Sequence, residues 1–348
     1  MSSINISMYS LFNTPGPNFS DDQAISIVNN LYDLNISIIK PLSSDRDQNF
    51  LLYQDDKPVY VLKISHPDEM FNVLEMQHRA INHIYLMDDT IQLPKEVKSI
   101  DGDYISVYKY HDIKYYIRIV KYIPGNLMKD LSRHDNSFIN MLGTFLGRFS
   151  SALKGFEYEN SIRIFPWDIS QTDFLHNNIN NIGVKNKQII VERILNDYEK
   201  RIIGVKDDLP LAIIHNDAND HNIIVNNDNI PYGIIDFGDI IKTYRVCEPA
   251  ICTAYLLLNG GDSVQIITKF LNAYQNKYPL TKIEINVIIY FICLRLCVSV
   301  TMAAYRKKIF PDNKYIRVTE QQAWDFLKKV QQVDLEQWSD QIIKRVVG

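Results

Sequence analysis

The stretch LAIIHNDANDHNIIVNNDNIPYGIIDFGD, residues 211–239, gathers the side chains best suited to chemistry: His215, Asp217, Asn222, Asp236 and Asp239. Short Ile-rich runs at 211–214, 223–225 and 232–235 are bounded by Asn, Asp and Pro, a pattern that predicts buried strands joined by polar loops. His215, Asp217 and Asn222 then fall on one loop at a strand end, and Asp236 and Asp239 on the next. Carboxylates and a carboxamide brought together beside a sheet suit a hard, oxygen-preferring cation such as Mg2+. A metal-hydrolase cluster of His215, Asp217, Asp220 and His221 is the competing use of the same residues. Asp220, His221 and Asp228 are otherwise expected to brace loops or face solvent.

The order H-x-D-x-x-x-x-N followed by D-F-G resembles the catalytic and metal loops of protein-kinase-like phosphotransferases. Phosphoryl transfer needs a positioned acceptor hydroxyl and cations on the phosphates more than covalent help from the protein. The resemblance implies that Asp217 orients the acceptor proton, that Asn222 and Asp236 hold Mg2+, and that His215 braces the loop. The lack of an arginine after the histidine is typical of aminoglycoside phosphotransferases and choline-kinase-like small-molecule kinases. Their glycine in this loop is Asn216 here, a residue type tolerant of a left-handed backbone. SSDRDQNF (43–50), YVLKIS (60–65), HNDANDHNIIV (215–225) and IIDFGD (234–239) are most similar to the hydroxylysine-kinase branch. That branch implies transfer from ATP or GTP to a hydroxyl of an amino acid; homoserine and choline kinases are related members.

The elements around these loops are ordinary for a folded enzyme. The chain has 348 residues, 46% of them hydrophobic, and a net charge of −4. That length predicts two domains or a two-lobed enzyme, and the slightly acidic balance argues against nucleic acid as the main partner. Cys247, Cys252, Cys293 and Cys297 sit in apolar stretches and read as reduced core cysteines of a cytoplasmic protein. The N-terminus MSSINISMYSLF has no basic or long apolar segment of the secretory kind. The apolar run 287–300 is interrupted by Arg295 and reads as too short to span a bilayer, so no membrane partner is expected.

Going along the chain, 18–34 predicts a helix with Ser20, Asp21 and Asp22 as capping candidates. Strands are expected at 36–42, 50–53 and 59–64. The loop 43–49 offers Ser43, Ser44 and backbone amides to phosphates, although two aspartates lie within it and a solvated hairpin loop is the plain alternative. Lys63 shares a strand face with Val61, opposite Leu62 and Ile64. The resemblance makes it the lysine on the α- and β-phosphates. In the following helix, 67–85, Glu75 has Arg79 at i+4, an exposed pairing, whereas Gln77 lies on the inward stripe with Leu74, Ile81 and Ile84. The resemblance implies a glutamate on this helix paired with Lys63; of the two candidates, Gln77 rather than Glu75 is expected to take that place.

Strands at 97–100, 104–110 and 114–120 lead into a linker ending at the breaker Pro124-Gly125. The resemblance makes Lys121, Tyr122 and Ile123 purine contacts through main-chain groups. Helices are expected at 126–134, 138–156, 246–258, 263–277, 283–307 and 319–346. Trp167 and Asp168 lie in an irregular stretch and either join an acceptor pocket or cap the next helix. Arg295 is a charge on an apolar helix, costly unless paired. Two outcomes are open for it: a brace to Glu248, or a contact to a substrate carboxylate with Glu248 or Asp168 on an ammonium group.

The expected fold is α+β and two-lobed, of protein-kinase-like type. It has a small N-lobe (1–121) with an antiparallel sheet and one main helix, and a larger helical C-lobe (122–348). The expected function is Mg2+-dependent phosphorylation of a small amino-containing hydroxyl acceptor. The alternatives are an aminoglycoside phosphotransferase, a non-catalytic nucleotide-binding module, disfavoured by Lys63, Asp217, Asn222 and Asp236 occurring together, and a protein kinase, disfavoured by the short segment after Asp236. Nothing in the sequence assigns an oligomeric state.

Overall fold

The computed structural model describes residues 11–132, 134–311 and 320–348; the reading of the extreme N-terminus and the start of the helix expected from Thr319 lie outside them. The chain divides into two compact units. One comprises the residues up to Asn82 together with Gln92–Pro124, and the other comprises His83–Ile91 and Gly125–Gly348.

The first unit is built on an antiparallel sheet. Its strands are β1 (Ile38–Leu42), β2 (Gln48–Gln54), β3 (Lys57–Ile64), β4 (Glu96–Val97), β5 (Ser106–Tyr110) and β6 (Ile113–Lys121). The order is β1-β2-β3-β6-β4, with β5 also on β6. Helix α1 (Asp21–Tyr32) starts in a capping box, Ser20 accepting from the Gln23 amide while Gln23 returns to the Ser20 amide. Its Ala24, Ile27, Val28 and Tyr32 join Phe50, Leu52, Leu62, Ile64, Ile117 and Ile119 in one core. These strand residues obey the period-2 rule, so Lys63 and Arg118, paired in register across β3 and β6, point away from that core. Helix α2 (Phe71–Met87) carries Gln77, which is the hydrogen-bond partner of Arg118 on that other face.

The second unit is mainly helical. Its helices are α3 (Asn136–Ala152), α4 (Asp173–Asn178), α5 (Lys185–Ile202), α6 (Cys247–Leu257), α7 (Ser263–Gln275), α8 (Lys282–Ile309), α9 (Glu320–Gln331) and α10 (Leu335–Val346). Two small antiparallel sheets carry the loops of interest: β7 (Asn126–Leu127), β9 (Ile223–Val225) and β10 (Pro231–Ile234) in one, and β8 (Leu211–Ile214) with β11 (Ile241–Tyr244) in the other. Helix α8, at 28 residues, is long and apolar enough to cross a bilayer, contrary to the reading of 287–300 as too short. It is instead the buried centre of this unit, packed by α5, α6, α9 and α10, and an all-round apolar helix is what such a position requires.

Several expected elements changed on folding. The described residues of 126–134 form no α-helix: Asn126 and Leu127 pair with Val225 and Ile224, and Met128–Asp130 makes a single 3-10 turn. Strand β4 is two residues long rather than spanning 97–100. The final helix is two, because Asp334 caps the amide of Glu336 and restarts the helix after residues 332–334. Helices α4 and α5 occupy a stretch that carried no expectation, although the stripe Ile190, Val191, Ile194, Leu195, Tyr198 and Ile202 on α5 has helical spacing.

Helices α3 and α7 approach closely at Gly143 and Gly147. A Cβ on Gly147 would stand 2.5 Å from the Tyr274 carbonyl oxygen, and one on Gly143 would stand 2.4 Å from that of Phe270. Gly147→Ala would gain about 1 kcal/mol of helix propensity. The forced separation of the two helices should outweigh it, for a net loss of about 1–3 kcal/mol. Urea unfolding of the variant tests this, and an unchanged or raised midpoint refutes it.

Candidate active site

The loop after β8 is fixed from within and from below. Asn216 has φ 66°, the left-handed conformation expected at this position. His215 is fully buried and both ring nitrogens face backbone. Nδ1 accepts from the Asp217 amide at 3.2 Å and so carries no proton, and Nε2 donates to the Ile235 carbonyl at 3.0 Å. This ties the β8 loop to the end of β10 and leaves His215 a brace.

Beneath the loop, Glu248 on α6 is 1% exposed. Its Oε2 accepts the amides of His215 at 2.5 Å and Asn216 at 3.3 Å. Burial pushes its pKa up to about 7, against the pull of those two amides and of Arg295. Glu248 is thus not the ion-pair partner of Arg295; its Oε2 holds backbone.

The Asp217 carboxylate is surrounded by donors. Oδ1 accepts from Asn219 Nδ2 at 2.8 Å and from Arg295 Nη2 at 2.6 Å, and Oδ2 accepts from Asn222 Nδ2 at 2.7 Å. Burial pushes its pKa up to about 7; Arg295 opposes this, and Asp239 and Asp236 add to it. Of the two outcomes expected for Arg295, the brace to Glu248 is replaced by a brace to Asp217. Tyr255 OH lies 3.2 Å from the same Nη2, and the guanidinium sits 4.6 Å from the Trp167 ring.

Asn222 spends its Nδ2 on the backbone carbonyl (2.9 Å) and the carboxylate of Asp217. Its Oδ1 is given no donor. Asp236 is exposed and holds φ 64°, an uncommon backbone for a residue with a side chain and one concentrated at functional sites. A carboxamide oxygen and a carboxylate, with phosphate and water oxygens completing the shell, match the donor set Mg2+ takes at nucleotide sites. Among the described residues no group of three or more His, Cys, Asp or Glu is placed to hold a metal, which removes the hydrolase cluster of His215, Asp217, Asp220 and His221.

Two further residues, not legible in the sequence, hold the Asp236 loop and the start of α6. Arg163, 8% exposed, donates through Nη2 to the carbonyls of Gly238 (2.9 Å) and Ile240 (3.2 Å) and lies over the Phe165 ring. Arg245 forms a two-pronged bond to Glu284 on α8, at 2.7 and 2.6 Å, which anchors the start of α6. Asp168 is a correction. It is 2% exposed, with its carboxylate taken by the Ser170 amide, the Gln171 side chain and the Thr243 hydroxyl, so it braces its own loop rather than facing an acceptor. Trp167 is partly exposed, and its carbonyl accepts from Asn216 Nδ2 at 3.4 Å.

In the first unit, Gln77 is inward, 2% exposed, as expected of its stripe. Its carboxamide oxygen belongs to Arg118 Nη1 at 2.8 Å rather than to Lys63, and Arg118 also lies 3.8 Å from buried Glu96. The β-sheet register explains this: Arg118 stands beside Lys63 on the α2 face, and a guanidinium buried there demands the nearer acceptor. Glu75 makes its i+4 pair with Arg79 at 2.6 Å. Ser43 and Ser44 begin the β1–β2 loop, in which Asp47 turns back to accept the His66 amide at 3.1 Å. In the linker, the Lys121 amide is spent on Lys95 O (2.8 Å) and the Tyr122 amide on Val59 O (3.0 Å). Those two amides are therefore not open to a purine, while Ile123 is itself buried.

A buried histidine brace and a carboxylate held by carboxamides thus stand on the β8 loop with Asn222, and Asp236 follows β10. The model of the phosphotransferase enzyme family matches residues 38–280. The chain belongs to that family. It is 26% identical over 342 residues to hydroxylysine kinase of Mus musculus, covering 90% of each chain, and 25% identical to that of Bos taurus at the same coverage. Among solved structures it is similar to an amicoumacin kinase in complex with AMP-PNP and Ca2+, with TM-score 0.68 and 15% identity over 92% of this chain and 97% of that one. A microcompartment-associated aminopropanol kinase gives TM-score 0.68 and 12% identity over 93% and 95%. The fold of this phosphotransferase is thus α+β and kinase-like, and its reaction is phosphoryl transfer to a hydroxyl acceptor.

Proposed function

We propose that this family member is an Mg2+-dependent kinase that moves the γ-phosphate of ATP or GTP to the hydroxyl of a small amino acid of the hydroxylysine or homoserine kind. The observation that carries the reading is the Asp217 carboxylate, fixed at once by Asn219, Asn222 and a buried arginine. In this role Asp217 accepts a hydrogen bond from the acceptor hydroxyl and takes its proton as the oxygen attacks phosphorus, with Asn222 and Asp236 holding Mg2+. Lys63, Ser43 and Ser44 of the first unit are the candidates for nucleotide phosphates, and the Ile123 main chain for the purine. Gln77 acts only through Arg118. The names of the relatives support the acceptor class, and the AMP-PNP and Ca2+ of the amicoumacin kinase support a nucleotide with a divalent cation. Four buried free thiols accord with a reducing, cytoplasmic setting.

A turnover screen tests this. ATP and GTP, each with Mg2+, are offered with 5-hydroxylysine, homoserine, 3-aminopropan-1-ol, choline and kanamycin, and nucleoside diphosphate release is followed. Acceptor-dependent turnover confined to kanamycin, or none with any acceptor, refutes the reading.

A further inference from the structure

We infer that Arg295 is a specificity residue: its guanidinium reads the carboxylate of the acceptor while it positions Asp217. This deepens the kinase reading above and rests on it. Arg295 is 1% exposed on the central helix α8. Nη2 alone serves both Asp217 Oδ1 and Tyr255 OH. Nε and Nη1 are buried and have no hydrogen-bond partner. A guanidinium has five N–H donors, and those two nitrogens carry three of them. Native proteins seldom leave buried donors unmade, least of all on a fixed charge, so each such group calls for an explanation.

The surroundings select the ligand. Arginine's planar fork matches a carboxylate in shape and charge. The Trp167 and Tyr255 rings, 4.6 and 5.5 Å from the guanidinium carbon, line it with apolar surface that strengthens such a contact. Close by, through Asn216 and its bond to the Trp167 carbonyl, stand two buried acceptors that also have no donor, Glu248 Oε1 and Asn216 Oδ1. Orphan donors and orphan acceptors around one catalytic loop suit a zwitterion. An aminoglycoside, carrying several cations and no anion, offers no carboxylate to the unpartnered Nε and Nη1 of Arg295.

The two nitrogens are enclosed, so the acceptor reaches them by displacing the partly exposed Trp167 ring. One side chain then touches both the catalytic carboxylate and the acceptor carboxylate, which sets the distance from carboxylate to reacting hydroxyl. The hydroxyl proton passes to Asp217, the hydroxyl oxygen bonds to the γ-phosphorus, and the bond to the β,γ-bridging oxygen breaks to release the nucleoside diphosphate.

The test uses two matched acceptor pairs with the full chain and Mg2+-nucleotide: homoserine against 3-aminopropan-1-ol, and 5-hydroxylysine against 1,5-diaminopentan-2-ol. Wild type should favour the carboxylate member in kcat/KM by about 10- to 100-fold, the worth of one charge-assisted contact. Arg295→Met should bring that ratio close to one, mainly through KM, and lower kcat for all four acceptors. Arg295→Lys should keep part of the ratio and substitutes for the Met variant if the latter does not fold. A ratio unchanged in the Met variant, or in the Lys variant where that one stands in, overturns the inference and leaves Arg295 a positioner of Asp217 alone. So does the lack of any preference in wild type. If wild type phosphorylates none of the four, the kinase reading for amino acids fails, and tryptophan emission then decides the subsite. A change with 5-hydroxylysine but not its decarboxylated partner, lost in both Trp167→Phe and the Arg295 variant, supports it; no change in wild type overturns it.

Discussion

Asp217→Asn is expected to lower kcat by about 10²–10⁴-fold, the range a positioned general base contributes. The substitution is nearly isosteric and keeps an oxygen for Arg295, but it cannot take the acceptor proton. It also replaces a half-buried carboxylate whose pKa is raised to about 7 by desolvation first and by Asp239 and Asp236 beside it. Loss of that repulsion offsets part of what the Arg295 ion pair contributed, so the melting temperature should move by only a few degrees. Nucleotide affinity should change little. Asp236→Ala is the contrasting variant: it removes a proposed metal ligand and should weaken Mg2+-nucleotide binding itself. Steady-state kinetics with calorimetric nucleotide titrations separate the two, and an Asp217→Asn enzyme with wild-type kcat on its best acceptor would falsify the assigned role.

Glu248→Ala should be the most destabilising change at the site, by about 3–5 kcal/mol. It leaves the amides of His215 and Asn216 buried without an acceptor, at about 1–3 kcal/mol each, and it opens a cavity. With the loop backbone released, kcat should fall as well. Glu248→Gln separates structure from charge, because its amide oxygen still accepts from both backbone groups. The folded pKa of Glu248, about 7, lies above the ordinary glutamate value of 4.5 expected in the unfolded chain, so the folded state binds the proton more tightly. Stability from this group is therefore fully present below about pH 4.5 and is lost as pH rises through 7. The loss amounts to about 3 kcal/mol at 1.36 kcal/mol per pH unit. Glutamine does not titrate. Urea unfolding at pH 5 and pH 8 should show wild type losing more stability than Glu248→Gln across that interval. Parallel curves would show that Glu248 titrates outside this interval.

The sequence by itself determined the two loops and the elements that end in them. The reason is that this information is local. The three Ile-rich runs, the left-handed position at Asn216 and the His215-to-Ile235 bond all fall within one short stretch, where period and turn chemistry decide the structure. The same locality made the β1–β3 and β5–β6 regions of the first sheet and most of the long helices readable, with ends shifted by a few residues. The two-residue strand at Asn126 was not readable, since an edge pairing with Val225, far along the chain, overrides local helix preference.

Only the tertiary structure decided which buried charges meet. Arg295 reaches Asp217 across 78 residues, Glu248 reaches His215 across 33, Arg163 reaches Gly238 across 75, and Arg118 reaches Gln77 across 41. Arg295 and Gln77 announce themselves as anomalies, polar groups on apolar stripes that must find partners. The anomaly says that a partner exists and not which one. Arg295 had Glu248 or a substrate open to it, and Gln77 had Lys63. What settled both was packing: α8 laid its arginine against the β8 loop while α6 gave Glu248 to the backbone, and β6 set Arg118 beside Lys63 on the face that α2 covers.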